Sequence, residues 1–389
     1  MEVTRVFHPV GQGGFYTECF DDLNNQHMVV YDCGGNSSKS MKDYIESFLP
    51  DSPKANIEAV FISHLHDDHI NGLQSLIERA NVRKIFLPQL TPNKVFDTIL
   101  YYASKASRTN FVLTLIKAAS IGNLEETSIF QIKEHQENDE LRAETIDIST
   151  FQGWDDIYIN SDTNLTVNNK EWVYIPFNPL SKRPNFEAVE YTIRDRIENI
   201  YEETDVFLQA ELLARFVKSL SVTKCKEIYK KLFGSIHNGQ SMTLFSGIKT
   251  PTPDIRVRFR LFDLPCCDYY HHHHHYFHHR WMDDESCVPT NFLYTGDYEV
   301  NKKTELTEFY NKHKVWNTIC GVQMPHHGSR KNYNGCLYKK RCYAIASAGS
   351  NNKYHHPNID TLIHVFQQGC MPYVVTEDKN TIIIQQFKF

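Results

Sequence analysis

The first sixty residues alternate short apolar runs with turn signals. Residues 3–10 lead into Gly11-Gln12-Gly13-Gly14, and apolar runs return at 15–20, 27–31 and 57–62, which predicts a stack of short strands. Residues 73–80 carry a helical period and 84–87 read as another strand, so the pattern has become strand-helix-strand by residue 90. Between 93 and 233 the signal changes. Helical stretches at 95–106, 111–119, 186–203, 205–219 and 223–233 surround a polar, acid-rich section at 134–162. Strand-like runs resume at 241–245, 255–262 and 291–295, and strand-helix alternation continues through 320–324, 342–347, 359–367 and 381–387. The two ends share one character, which predicts a single α/β domain over 1–389 interrupted by a largely helical insertion or cap at 93–233.

Composition narrows the function classes. The 389 residues are 41% hydrophobic, enough for a sizeable core, and the net charge of −6 argues against a protein that coats nucleic acid through a general basic excess. No window approaches the length of apolar chain needed to cross a bilayer, and the N-terminal residues lack a signal-peptide layout, so the chain is expected in the cytoplasm with no membrane partner. The cysteines form no CxxC pairs and read as mostly reduced, although Cys266 and Cys267 lie near a histidine tract at 271–279. That tract is read as a low-complexity loop in preference to a metal store.

The chemistry concentrates at Ser63-His64-Leu65-His66-Asp67-Asp68-His69, directly after an apolar strand and directly before a helical pattern. In extended chain His64 and His66 point to the same side, so both imidazoles can reach one ion. Asp68 and His69 follow where the chain turns into the helix and can face a second ion. One short segment therefore seeds two adjacent metal sites.

This His-x-His-x-Asp-His segment resembles the hallmark of the metallo-β-lactamase superfamily, which implies an αββα sandwich with two metal ions at one edge. Val-Gly-Gln-Gly at 10–13, Pro325-His326-His327-Gly328-Ser329 and Asn351-Asn352-Lys353-Tyr354-His355-His356-Pro357 are similar to elements of its competence-type (ComEC-like) nuclease and phosphorylcholine esterase branch. The resemblance implies that Asp32 orients a metal-binding histidine from behind, the alternative being a turn aspartate before glycines. It also implies that Asp297 bridges both ions and that His237 completes the first site, against a plain loop histidine. His327 and His356 both remain as the last ligand, with His356 preferred because it follows a further strand, as in the RNase Z relatives. His326 or His327 would then hold a substrate phosphate or protonate the leaving group.

Two divalent ions, zinc first and manganese second, would activate a water together with Asp68 and stabilise an in-line displacement at phosphorus. The stretch 321–353 carries Arg330, Lys331, Lys339, Lys340, Arg341 and Lys353 with no acidic residue, and this favours an anionic substrate. Ser329, Arg330, Lys331, Asn352 and Lys353 are the expected substrate contacts. The function expected is a metal-dependent phosphodiesterase or nuclease acting on DNA, RNA or nucleotides. The alternatives are a hydrolase of a β-lactam, lactone or thioester, and a non-catalytic recognition subunit that docks a protein partner through 93–233.

Overall fold

The computed structural model describes residues 2–22, 25–49, 53–107, 109–136, 144–151, 157–168, 171–234, 241–249, 256–261, 288–300, 303–338 and 341–389. Strands β1 (Glu2–Phe7), β2 (Phe15–Asp22) and β3 (Asn25–Cys33) form an antiparallel meander. Helix α1 (Ser38–Phe48), β4 (Asn56–Phe61), the short helices α2 (Asp67–Ile70) and α3 (Leu73–Arg79), β5 (Asn81–Val82) and β6 (Lys84–Pro88) follow. Helices α4 (Pro92–Ser104) and α5 (Asn110–Ile121) precede β7 (Asn123–Leu124), β8 (Thr127–Ile132), β9 (Thr145–Asp147), β10 (Tyr158–Ile159), β11 (Asn164–Thr166) and β12 (Trp172–Phe177). After α6 (Tyr191–Tyr201), α7 (Val206–Lys218) and α8 (Val222–Phe233) come β13 (Thr243–Ile248), β14 (Arg256–Leu261) and β15 (Val288–Tyr294). The chain closes with α9 (Lys303–Lys312), β16 (Ile319–Gln323), β17 (Tyr343–Ser347), α10 (Ile359–Gln367), β18 (Met371–Val375) and β19 (Ile383–Lys388).

Among the described residues these strands make two mixed sheets, ordered β10-β8-β6-β4-β3-β2-β1-β19-β14 and β18-β17-β16-β15-β13-β12-β11-β9. The protein is thus of mixed α/β class. Alternation along each strand sorts side chains to two faces, and here both faces are buried, which is why the strands read as continuous apolar runs. Val29, Tyr31, Ala59, Phe61 and Phe86 of the first sheet share a core with Trp172, Tyr174, Phe292 and Tyr294 of the second. Their neighbours Val30, Val60, Ile85 and Leu87 pack instead against Ile45, Leu73, Phe96, Leu213 and Ile228 of the helices. On the second sheet, Val173, Ile175, Leu293 and Val322 meet Leu306, Phe309, Tyr310 and Val365.

The expected helical insertion does not hold as drawn. Helices occupy α4–α5 and α6–α8, but the chain between them supplies β8 to the first sheet and β12 to the second. Trp172-Val-Tyr-Ile-Pro-Phe177 is buried along its whole length. A short apolar run of that kind carries no period that separates a central strand from a buried helical turn. No helix among the described residues is long and apolar enough to cross a membrane. Residues 262–287, with Cys266, Cys267 and the 271–279 tract, lie outside the described residues.

Candidate metal centre

The centre is built where β4, β15 and β16 end. Beyond β4, Ser63 is held by Asp32, whose Oδ1 accepts from the Ser63 amide at 2.7 Å and whose Oδ2 accepts from the Ser63 hydroxyl at 2.9 Å. Asp32 Oδ2 also accepts from His69 Nδ1 at 2.8 Å, which turns His69 Nε2 outward. His64 Nδ1 lies 3.0 Å from Ser63 Oγ and 3.1 Å from Ser241 Oγ, and its Nε2 is left to the centre. Gly34 lets the chain pass against the next turn, because a Cβ there would sit 2.2 Å from the Asp68 carbonyl oxygen.

Asp297 arrives through a tight turn after β15. Gly296 has φ +51°, and a Cβ on it would lie 2.7 Å from Ser63 Cβ. The amides of Thr295 and Gly296 donate to Gln323 Oε1 at 2.9 and 3.0 Å, while the Asp297 amide donates to Ser241 Oγ at 3.1 Å. After β16, His326 and His327 both take left-handed backbone, with φ of 48° and 57°. Each such residue costs about 1–3 kcal/mol, and strain of this kind collects at functional sites. His327 Nδ1 donates to the Ser347 carbonyl at 2.8 Å, so its Nε2 faces inward.

These elements bring two overlapping groups together, His64 with His69 and Asp297, and Asp68 with His69 and His327, each with its donor atoms within 4.8 Å of one another. His69 Nε2 is 3.3 Å and His327 Nε2 3.6 Å from Asp297 Oδ1, and His327 Nε2 is 3.4 Å from Asp68 Oδ2. His64 Nε2, His69 Nε2, His327 Nε2 and Asp297 Oδ1 are buried without a hydrogen bond. Buried polar atoms are nearly always paired, so four of them converging on one space fit a divalent cation. Charge is shared across that space: against the pull of burial, Asp32 and Asp297 raise His69 well above the ordinary imidazole value, and Asp297 and Asp68 raise His327. Burial alone would raise the Asp297 and Asp68 carboxyls, but His326, His69 and His327 hold Asp297 well below the usual carboxylate range, and His327 and His69 do the same for Asp68. Burial, His69 and His66 hold His64 far below the ordinary imidazole value, in the neutral form that binds metals.

Other expected residues fall differently. His66 belongs to neither group: its Nε2 lies 3.2 Å from Asp97 Oδ2, and its ring stacks on Tyr101 at 3.7 Å and stands 4.5 Å from the ring of His64. His356, the preferred last ligand, is also outside both groups and packs 5.3 Å from the His326 ring, because the left-handed turn after β16 carries His327 inward instead. His237 lies outside the described residues.

A cavity of about 470 Å³ opens over the centre. Its floor includes Asp68, Asp297, His66 and His326, and Ser329, Arg330, Lys331, Tyr354 and His356 form one wall. Asn352 and Lys353 do not line it. Asn352 fastens its own loop, donating to the carbonyls of Gly349 and His356 and accepting from the His356 amide, and Lys353 lies over the Tyr354 ring. The basic segment is not one charged face either, since Arg341 is buried against the Ile319 carbonyl and Arg330 pairs with Asp360 at 3.0 Å. The opposite wall is Tyr101, Ser104 and Lys105 of the α4 end with Tyr229 of α8. Asp97 ties that wall to the floor, accepting from Tyr229 Oη at 3.0 Å and facing His66. None of these wall residues stands in a motif, and the only trace in the sequence is aromatic and charged residues on the inner faces of two helices.

The sequence profile of one family, described as Anti-Pycsar protein Apyc1, matches residues 14–164, which is less than half of the chain. No curated protein matches it. The match corrects the expected membership of the metallo-β-lactamase superfamily and its competence-type nuclease and phosphorylcholine esterase branch. The His-x-His-x-Asp-His segment reflects a way of gathering donor atoms, which more than one family description can share, and the His-His-Gly-Ser and Asn-Asn-x-Tyr elements lie beyond the matched span. With that membership falls the expectation of a nuclease for DNA or RNA, since the matched family is named for opposing Pycsar.

Proposed function

We propose that the chain is a metal-dependent hydrolase that opens the phosphodiester ring of a small cyclic nucleotide, and that it acts as an anti-defence protein by degrading such a signal. The observation that carries this reading is the convergence of un-hydrogen-bonded His64, His69, His327 and Asp297 atoms beneath a cavity of about 470 Å³ walled by Tyr101, Lys105 and Tyr229. That volume lies in the range of small-molecule sites, and helical walls on one side leave less room for a polymer. The family description, a protein acting against Pycsar, supports a role against a cyclic nucleotide signal.

In this reading His64, Asp68, His69, His327 and Asp297 would hold the divalent ions. Zinc is favoured by the imidazole-rich set, and manganese is the alternative. Bound divalent ions supply Lewis acidity and an activated water to the reaction. The chain's own residues do the rest. Arg330, Lys331 and Lys105 offer cationic groups to the phosphate, and Ser329 offers a hydroxyl. His326 reaches the cavity with Nε2 3.8 Å from Asp297 Oδ2 and Nδ1 3.3 Å from Asn332 Oδ1; Nδ1 donates to that oxygen, so Nε2 has a lone pair that can take a proton from the attacking water and then return it to the leaving oxygen. We further read the layers as an αββα sandwich in one domain, with α4–α8 helices serving as a substrate wall.

The test is a size series. Zinc-loaded protein is offered 3′,5′-cyclic mononucleotides and single-stranded oligonucleotides at equal phosphodiester concentration, and products are separated chromatographically. Ring opening of the mononucleotide with little oligonucleotide cleavage is expected. Cleavage of the oligonucleotide alone would overturn the assignment.

A further inference from the structure

One buried phenol joins two of the centre's side chains across the interface between the sheets. Tyr16, on β2 of the first sheet, is 1% exposed. Its hydroxyl donates to Ser347 Oγ at 2.8 Å on β17 and accepts from Gln323 Nε2 at 3.0 Å on β16, both in the second sheet. The other end of the Gln323 amide, Oε1, receives the Thr295 and Gly296 amides that shape the turn into Asp297. The carbonyl of Ser347 receives His327 Nδ1. Asp297 and His327, 3.6 Å apart, therefore hang from one fork whose members lie outside both donor groups.

We infer that Tyr16 is a positioning residue: through Gln323 and Ser347 it fixes the separation of Asp297 and His327, and so the affinity of the centre for its second divalent ion. The inference rests on the metal-centre reading above. Without the hydroxyl, Gln323 keeps only the two amides on its Oε1 and Ser347 loses the donor that anchors its side chain, so the tie between the two ligand-bearing turns is lost. Partners that orient ligands in this way are worth about ten- to a hundredfold in metal affinity.

The experiment titrates zinc into the full-length chain against a chromophoric chelator and compares wild type with Tyr16→Phe, Gln323→Met and Tyr310→Phe. Tyr310 supplies the control for losing a buried tyrosine hydroxyl, because its own hydroxyl bonds Thr243 and the Ile175 carbonyl and neither of the two ligand-bearing turns. Tyr16→Phe and Gln323→Met are expected to weaken the second zinc equivalent by about ten- to a hundredfold and leave the first within about threefold, with Tyr310→Phe unchanged at both. Equal loss in all three variants, or undiminished binding by Tyr16→Phe, would overturn the inference. A wild-type chain that takes up no zinc would instead refute the metal-centre reading itself, and this inference with it.

Discussion

His69 Nδ1 donates a hydrogen bond to Asp32 Oδ2 at 2.8 Å, and neither side chain has any exposure to solvent. The bond fixes the orientation of the imidazole, so that Nε2 faces Asp297 Oδ1 at 3.3 Å. Asp32→Ala leaves His69 free to turn and strands the Ser63 amide. A loss of about ten- to a hundredfold in zinc affinity is expected, measured by chelator competition, whereas Asp32→Asn keeps the Ser63 bonds and is expected to lose less. Equal affinity in Asp32→Ala and wild type would show that the pair has no part in the centre.

A Cβ on Gly34 would come within 2.2 Å of the Asp68 carbonyl, while one on Gly335 meets nothing nearer than 3.2 Å, at Tyr333 Oη. Gly34→Ala therefore has to push the Asp68 segment away from His327, and a displacement near 1 Å costs about a hundredfold in rate. Hydrolysis of bis-p-nitrophenyl phosphate by the zinc-loaded variants is the readout, with Gly335→Ala expected near wild type.

Asp97 joins the α4–α8 wall to the floor through Tyr229 and His66. Asp97→Ala is expected to cut cyclic nucleotide turnover by tenfold or more and lower zinc occupancy, because the bond that holds His66 goes with it. Tyr229→Phe loses a single hydrogen bond, worth about 1 kcal/mol, and is expected to keep its zinc. Zinc stoichiometry by elemental analysis separates the two cases, and an Asp97→Ala protein with full zinc and full turnover would exclude His66 from the centre.

Acid should destabilise the fold through His8. Its ring lies between Tyr44 Oη at 2.9 Å and Thr17 Oγ1 at 2.8 Å, and burial lowers its pKa from 6.5 to about 3. The folded state keeps the ring neutral while the unfolded state protonates it below pH 6.5. The His8 contribution is thus complete above pH 6.5 and is lost as pH falls toward 3, by up to about 1.4 kcal/mol per pH unit. Urea unfolding at pH 7.5, 5.5 and 4.5 should show a shallower acid limb in His8→Gln than in wild type, and parallel limbs would count against the assignment.

Much of the centre was legible before any coordinates, and the reason is local. His64, Asp68 and His69 lie in one strand-to-helix segment, which keeps them close, whereas the period-two expectation that joined His64 and His66 is not met, because His66 turns to Asp97. Asp32, Asp297 and His327 came within reach only by resemblance, and what brings His327 and not His356 into a donor group is the left-handed backbone at 326–327, which no composition rule anticipates. Asp97, Tyr101, Lys105 and Tyr229 left no signal because two separate helices bring them to one cavity. Gln323 and Tyr16 read as ordinary strand residues until the two sheets were laid against each other. The strand β12 was missed for a related reason, since an apolar run buried on both faces loses the alternation by which strands are recognised. The motif overreached in one respect, because donor-atom spacing reports how cations are gathered and says little about which family gathers them.

His64, His69, Asp68, His327 and Asp297 are proposed to surround bound divalent ions. Anomalous scattering at the zinc edge from crystals of the zinc-loaded chain would locate those ions. Two peaks are predicted, both within coordination distance of Asp297 and one of them bound by His327 Nε2. An edge signal elsewhere in the molecule, with these donor atoms holding only water, would contradict it.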